Sequence, residues 1–199
     1  MFRLRRPVTA DHDALADICV RTGDAGADAG ALYPEPRLLA DIFLLPYLRV
    51  EPDWCWVADD DAGVAGYLVA TPDTASFAER TEAQWWPPLR RLHPLPDLDD
   101  ERQGALLLRR LHAGVPTGMP FLESHPAHLH VDLLPRAQGQ GLGGQLMGTL
   151  THALRTAGVP GVHLAVAERN SRAIRFYERC GFQELECAAW GRWMGLRVL

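Results

Sequence analysis

Three features of the chain combine residue types and spacings that suit chemistry. The first is Gln138-Gly139-Gln140-Gly141-Leu142-Gly143-Gly144, where four glycines join a β-favouring run, His128 to Leu134, to an amphipathic segment reaching about Thr156. Glycines let an anion approach the backbone, and the unpaired N–H groups that open a helix, with the positive end of its dipole, face that anion. The second is the alternation His128, His130, Asp132. On a strand it puts three titratable side chains on one face and Leu129, Val131 and Leu133 on the other. The third is Asn170 followed by Phe176-Tyr177, an amide at a strand-to-helix junction and a phenol near the end of the helix. A phenol can protonate a departing thiolate, yet a tyrosine there also suits an amphipathic core, and the asparagine also suits a helix N-cap.

The glycine run admits three readings. A lysine-dependent phosphate loop is excluded, because the chain contains no lysine. Gly139, Gly141 and Gly144 match a dinucleotide fingerprint, and Glu168 falls near the spacing of a ribose-binding acid. That fingerprint opens its domain, however, and the roughly 55 residues after Gly144 are too few for the remaining βαβ units. The third reading is an acyl-coenzyme A site. Gln138 to Gly143 resembles the Q/R-x-x-G-x-G/A pyrophosphate loop of the GNAT superfamily of acetyltransferases. Asn170-Ser171-Arg172-Ala173-Ile174-Arg175-Phe176-Tyr177-Glu178-Arg179-Cys180-Gly181-Phe182 resembles its second signature, N-x-x-A-x-x-F-Y-x-x-x-G-F. The two occur in order, separated by one strand, and cover about residues 128 to 185; the N-terminal half matches in its pattern of elements.

The resemblance implies an α/β fold, a GNAT-type α/β/α sandwich with a mixed central sheet whose two central parallel strands splay apart to admit acetyl-CoA. It places the diphosphate on the backbone of Gln138, Gly139, Gln140, Gly141, Leu142, Gly143 and Gly144, with Asn170 and Phe176 beside the pantetheine arm. Leu133 and Leu134, at the splay, would lose strand partners and offer N–H and C=O groups to pantetheine or to the thioester oxygen. Tyr177 aligns with the tyrosine that protonates the coenzyme A sulfur. A β-branched residue at Gly141 or Gly143 is expected to block the diphosphate and to forbid any positive φ.

Acetylating an amine requires a neutral nucleophile. Asp132, nearest the glycine loop, is the candidate general base or amine-binding acid, and His130 is the next choice; a purely structural hydrogen-bonded pair remains the alternative. A metal site would need His125 or another ligand as well, and a polar strand facing a substrate cleft is the simpler reading, so no metal is expected.

Several elements must position these groups. A strand at Phe2 to Arg5 leads to a helix opened by Thr9 as N-cap. A Gly/Ala/Asp-rich loop then precedes a helix from Arg37 to about Leu45, ending near Pro46. Trp54 to Ala58 and Val64 to Ala70 form a hairpin. Residues 73–120 are too long for a structureless connection and are expected to be a helical insertion beside the substrate opening, with Trp85 and Trp86 either a lid or core packing. Strands at Val162 to Ala167, Gln183 to Ala188 and Arg192 to Val198, with a helix at Ser171 to Cys180, complete one domain, 1–199. The insertion, the hairpin and His130-Val131-Asp132 are also similar to the acetyltransferase-like domain of O-GlcNAcase and its free-standing bacterial relatives.

A net charge of −5 over 199 residues, with interspersed arginines, gives no footprint for nucleic acid and no polybasic membrane patch. It suits a small-molecule or peptide amine acceptor. Cys19, Cys55, Cys180 and Cys187 show no CxxC spacing, no apolar run is long enough to span a membrane, and the N-terminus lacks a signal-peptide core. A reducing bacterial cytoplasm is expected, and an exposed sheet edge would permit a homodimer. The contrasting function is a non-catalytic acyl-CoA-binding or protein-interaction module of the same fold.

Overall fold

The structure, a computed structural model, describes residues 1–199. Its framework is a seven-stranded mixed sheet in the order β1-β2-β3-β4-β5-β7-β6. The strands are β1 (Arg3–Arg5), β2 (Cys55–Asp60), β3 (Gly63–Thr71), β4 (Ala127–Leu133), β5 (Gly161–Ala167), β6 (Gln183–Ala188) and β7 (Gly191–Arg197). Helices α1 (His12–Thr22), α2 (Leu38–Phe43), α3 (Leu45–Val50), α4 (Thr74–Gln84), α5 (Trp86–Leu92) and α6 (Gln103–Ala113) precede β4. Helices α7 (Leu142–Thr156) and α8 (Ser171–Arg179) follow it.

Strand alternation divides the core into two layers. Tyr67 and Val69 of β3 face a cluster with Leu15, Ile18, Leu39, Tyr47, Phe77, Trp86 and Leu111. Leu68, Ala70, Leu129, Leu164 and Val166 face Leu146, Leu150 and Leu154 of α7 and Ile174 and Tyr177 of α8. Helices therefore cover both faces, giving the expected sandwich.

All strand neighbours are antiparallel except β4 and β5, whose parallel pairing consists of Ala127↔Val162 and His128↔His163. Beyond those pairs the two central strands diverge. This is the expected splay, and it places the last residues of β4 beside a gap in the sheet.

Two expectations change in detail, and one open alternative is resolved. Pro46 does not end a helix: residues 38–50 form two short helices broken at Leu44 (φ −131°, ψ −61°), and Pro46 lies in the first turn of the second, where its missing N–H costs nothing. Thr9 is not an α-helix N-cap but opens a 3-10 turn, in which the Asp11 side chain accepts from the Val8 N–H at 2.7 Å. Residues 73–120 carry α4, α5 and α6, and both tryptophans pack rather than form a lid: Trp86 Nε1 donates to Thr81 Oγ1 at 3.1 Å and Trp85 Nε1 to the Asp41 carbonyl at 2.8 Å.

Candidate active site

The loop between β4 and α7 presents a row of unpaired donors. Gln138 N–H bonds the Pro135 carbonyl and Gln145 N–H bonds the Gly141 carbonyl, whereas the N–H groups of Gly139, Gln140, Gly141, Leu142, Gly143 and Gly144 have no partner in the protein. Gly139 and Gly141 sit at φ +74° and +77°, a region that side chains disfavour, and this geometry turns consecutive N–H groups toward one side. A Cβ at Gly139, Gly141 or Gly144 would meet nothing within 4 Å, so their open side is space and not packing. Gly143 differs from expectation. Its φ is not positive, and its need for glycine comes from the Phe176 ring, which a Cβ there would meet at 3.0 Å. Phe176 thus presses α8 against the start of α7. Gln138 Nε2 donates to the Leu133 carbonyl at 2.7 Å, tying the loop to the end of β4, and Gln140 Nε2 donates to the Arg136 carbonyl at 2.6 Å.

The register of β4 corrects the expectation for Leu134. Its N–H donates to the Ala65 carbonyl at 2.8 Å, so it continues the ladder to β3 and is not free. By alternation His128, His130 and Asp132 also direct their backbone groups to β3, while Val131 and Leu133 direct theirs toward β5. The β4–β5 pairing has ended by then, which leaves the Val131 N–H and C=O and the Leu133 N–H facing the gap without strand partners. The Leu133 carbonyl is already occupied by Gln138.

His128, His130 and Asp132 share a face as expected, but their surroundings separate them. His128 is buried and fully used. Thr74 Oγ1 donates its one proton to the Pro126 carbonyl at 2.6 Å and so accepts from His128 Nδ1 at 2.7 Å, leaving Nε2 to accept from the Tyr47 hydroxyl at 2.6 Å. Burial and the neighbouring His163, His130 and Arg110 keep it neutral. Its role is structural.

His130 is half-buried between the edges of Phe43 and Tyr47, with ring centroids 5.6 and 5.5 Å away. Neither ring nitrogen is bonded within the protein or sealed from solvent. Burial, then the Arg110 and His163 charges, push its pKa down to about 4. Asp132, also half-buried, accepts from the Tyr67 hydroxyl at 2.5 Å. Burial pushes its carboxyl up to about 6, against the lowering effect of the hydrogen bond from Tyr67. Behind Tyr67 lies the buried Cys19 thiol, raised to about 12 by burial and by the Asp132 charge.

Tyr177, 8% exposed, packs from α8 against the other face of the sheet with Leu129, Leu164 and Val166, near enough for the Asp132 charge to act on it. Its hydroxyl makes no hydrogen bond and is not sealed. Burial, followed by the charge of Asp132, raises its pKa, so it remains a proton donor through neutral and alkaline pH. Asn170 takes the N-cap role: its Oδ1 accepts from the Ala173 N–H at 3.1 Å, and its amide NH₂ stays free.

A carboxylate with a raised pKa and an unbonded phenol thus flank a strand gap that also holds three free backbone groups, next to a loop of free donors. A concavity of about 380 Å³ between residues 32–38 and α6, and another of about 320 Å³ beside Gln140 and Phe2, contain none of Asp132, His130 or Tyr177. No three His, Cys, Asp or Glu side chains are grouped to hold a metal ion. The residues that sequence patterns missed are Tyr67, Cys19 and Val131. Tyr67 lies 65 positions from Asp132, and strand register alone joins them.

Comparison with known proteins agrees with this geometry. The pattern of the Acetyltransferase (GNAT) family matches residues 26–182. The chain is similar to protein O-GlcNAcase of Rattus norvegicus, 22% identical over 187 residues that take in 93% of this chain and 20% of that protein. It is also similar to mycothiol acetyltransferase of Pseudarthrobacter chlorophenolicus, 27% identical over 191 residues, 86% of this chain and 54% of that protein. The chain therefore spans a fifth to about half of the length of these relatives. Among solved structures, the crystal structure of SsHAT superimposes with a TM-score of 0.91 at 34% identity, covering 100% of this chain and 98% of that one.

Proposed function

The chain belongs to the acetyltransferase (GNAT) family, and from that premise we propose that it transfers an acetyl group from acetyl-CoA directly to a primary amine, as an enzyme of a reducing bacterial cytoplasm. One observation carries the reading: six consecutive unpaired N–H groups, at residues 139–144, open onto free space at the start of a 15-residue helix, which is a built cradle for a diphosphate. Acetyl-CoA supplies the activated acyl group as a thioester.

The chain's own groups divide the remaining tasks. The Val131 and Leu133 N–H groups are placed to hold the pantetheine arm and to donate to the thioester oxygen as charge builds on it. Asp132, ionised above about pH 6, takes a proton from the incoming ammonium, and Tyr67 holds it in position. The Tyr177 hydroxyl gives its proton to the departing sulfur. Asn170, capped onto its helix through Oδ1, keeps its NH₂ for the pantetheine. Cys19, Cys55, Cys180 and Cys187 are all free thiols, which fits a reducing compartment.

The reading is tested by incubating the protein with acetyl-CoA and a panel of primary amines, with thiol release and product mass as readouts. Amine-dependent thiol release with a product heavier by one acetyl group is expected. Tight acetyl-CoA binding with no amine accepted would favour the non-catalytic binding module.

A further inference from the structure

The helices that precede β4 cover only half of the sheet face that carries His130 and Asp132. The core cluster they form takes in side chains of β2 and β3 and Leu134, just after β4, but none from β5, β6 or β7. Helices α7 and α8 pack on the opposite face, against Leu164, Val166 and Met194. Over β5 and β7 the first face is covered at one end. There Phe121 lies 5.2 Å from His163 and 5.7 Å from Trp193 between ring centroids, and a Cβ on Gly195 would meet the His125 ring at 2.9 Å. The next residue of β5 on that face, Ala165, is exposed although its strand is central in the sheet.

Strand register fixes what surrounds Ala165. β4 and β5 pair at His128↔His163, so two residues further on His130 and Ala165 stand at one level across the splay. On its other side Ala165 pairs with Trp193 of β7, whose ring lies 5.7 Å from His163 and so projects from the same face. A methyl group thus floors a slot between an imidazole and an indole. Trp190, 52% exposed in the turn that leads into β7, adds an outer wall edge-on to Trp193, at 5.7 Å and 87°. Trp85 and Trp86 spend their indole N–H groups inside the protein, whereas that of Trp193 has no partner and is not sealed from solvent. Charged side chains stand at the margins of the slot: Glu186 on the edge strand opposite Trp193, Glu168 bonded to Arg192, and Asp24 paired with Arg169.

Resting on the acetyltransferase reading above, we propose that this slot receives the acceptor, a primary amine joined by a short link to a flat, uncharged ring, and that Ala165 and Trp193 set its specificity. The occupant follows from continuity with the reaction gap. Asp132, which receives the amine, is one strand and two residues from the level of Ala165, about 8 Å at spacings of roughly 4.8 Å between strands and 3.3 Å per residue. The body of an amine held there extends over the Ala165 methyl. From His130 to Trp193 is two strand spacings, about 10 Å before the splay, which accommodates one ring at centroid separations of roughly 5 Å from each neighbour. Such a ring leaves water for an apolar floor, while a polyamine or a zwitterion would lose hydration there without gaining an ionic partner.

The experiment compares kcat/KM for 2-phenylethylamine and butylamine in the wild type, Ala165→Leu and Trp193→Ala, with circular dichroism verifying each fold. The wild type is expected to favour the ring-bearing amine tenfold or more. Because Ala165 is exposed, leucine there fills the slot without crowding the core, and the ratio should collapse toward one; Trp193→Ala should lower it several-fold. A ratio near one in the wild type, or an undiminished ratio in either folded variant, overturns the proposal. Calorimetric binding of N-acetyl-2-phenylethylamine with coenzyme A present tests the slot without turnover. Binding weaker by tenfold in Ala165→Leu is expected, and equal binding by both proteins overturns the proposal. Sedimentation of the same proteins tests the rival occupant, a second copy of this chain: a dimer that Ala165→Leu dissociates while the ratio stays unchanged would make this face an interface between copies and overturn the proposal. Failure of the acetyltransferase reading itself looks different, as no thiol release with any amine, ring-bearing or linear.

Discussion

Asp132 and His130 stand two residues apart on β4, and their surroundings move them in opposite directions. Asp132 is raised to about 6 and His130 lowered to about 4, in both cases chiefly by burial, which disfavours charge of either sign. Either one acts as a base only when deprotonated, so the rate climbs with pH through the pKa of the true base. With Asp132 in that role, kcat/KM for the amine should rise through about pH 6 and Asp132→Asn should remove that limb while sparing acetyl-CoA affinity; a limb near pH 4 that survives in Asp132→Asn but vanishes in His130→Gln would transfer the role. Tyr177→Phe should lower kcat by roughly ten- to a thousandfold with acetyl-CoA affinity nearly unchanged, in the range of a general acid. Equal turnover would make Tyr177 a core residue, and lost affinity would give it a binding role. Sequence alternation sufficed to put Asp132 and His130 on one face. It could not reveal Tyr67, because the hydrogen bond that holds Asp132 is formed by strand register across 65 positions.

The glycine loop and its two flanking helices act as one element. Gly143 admits the Phe176 ring at the start of α7, so the close approach of α8 to α7 depends on a missing side chain. Gly143→Val should force the ring aside and destabilise the fold by about 1–3 kcal/mol, as overpacking does, and an unchanged urea midpoint would show that the ring yields freely. The glycine spacing was legible because a phosphate cradle needs local backbone freedom, a property of consecutive residues. The break at Leu44 was not, since Pro46 reads equally as the end of one helix or the beginning of the next, and packing of Tyr47 and Leu48 into the core decides it. Leu134 was misread for a related reason. Which backbone groups face the gap depends on the phase of hydrogen bonding with β3, and side-chain pattern does not report that phase.

At the scale of the whole molecule, the two central strands carry three histidines at buried or half-buried positions, His128 and His130 on β4 and His163 on β5. His128 is held well below the ordinary histidine range and His130 and His163 at about 4, all mainly by burial. For a base with a depressed folded-state pKa, stability is fully present above the unfolded value of about 6.5 and is lost as pH falls toward the folded value. Asp132, raised above its unfolded value, is stabilised toward acid and offsets part of this loss below about pH 6. The urea midpoint should therefore decline from pH 6.5 to 4.5, and a flat profile would show that these histidines charge without unfolding. The length of residues 73–120 made an inserted set of helices legible, but which of their side chains join the core, among them Phe77, Trp86 and Leu111, is decided by tertiary packing. The measurement that most directly tests how this fold works is calorimetric titration of acetyl-CoA into the wild-type protein and into Gly141→Val, a position at φ +77° whose open side faces the cradle. Saturable one-to-one binding that weakens at least tenfold in the folded variant is the predicted result, and equal affinity in the two proteins would contradict a diphosphate site at residues 139–144.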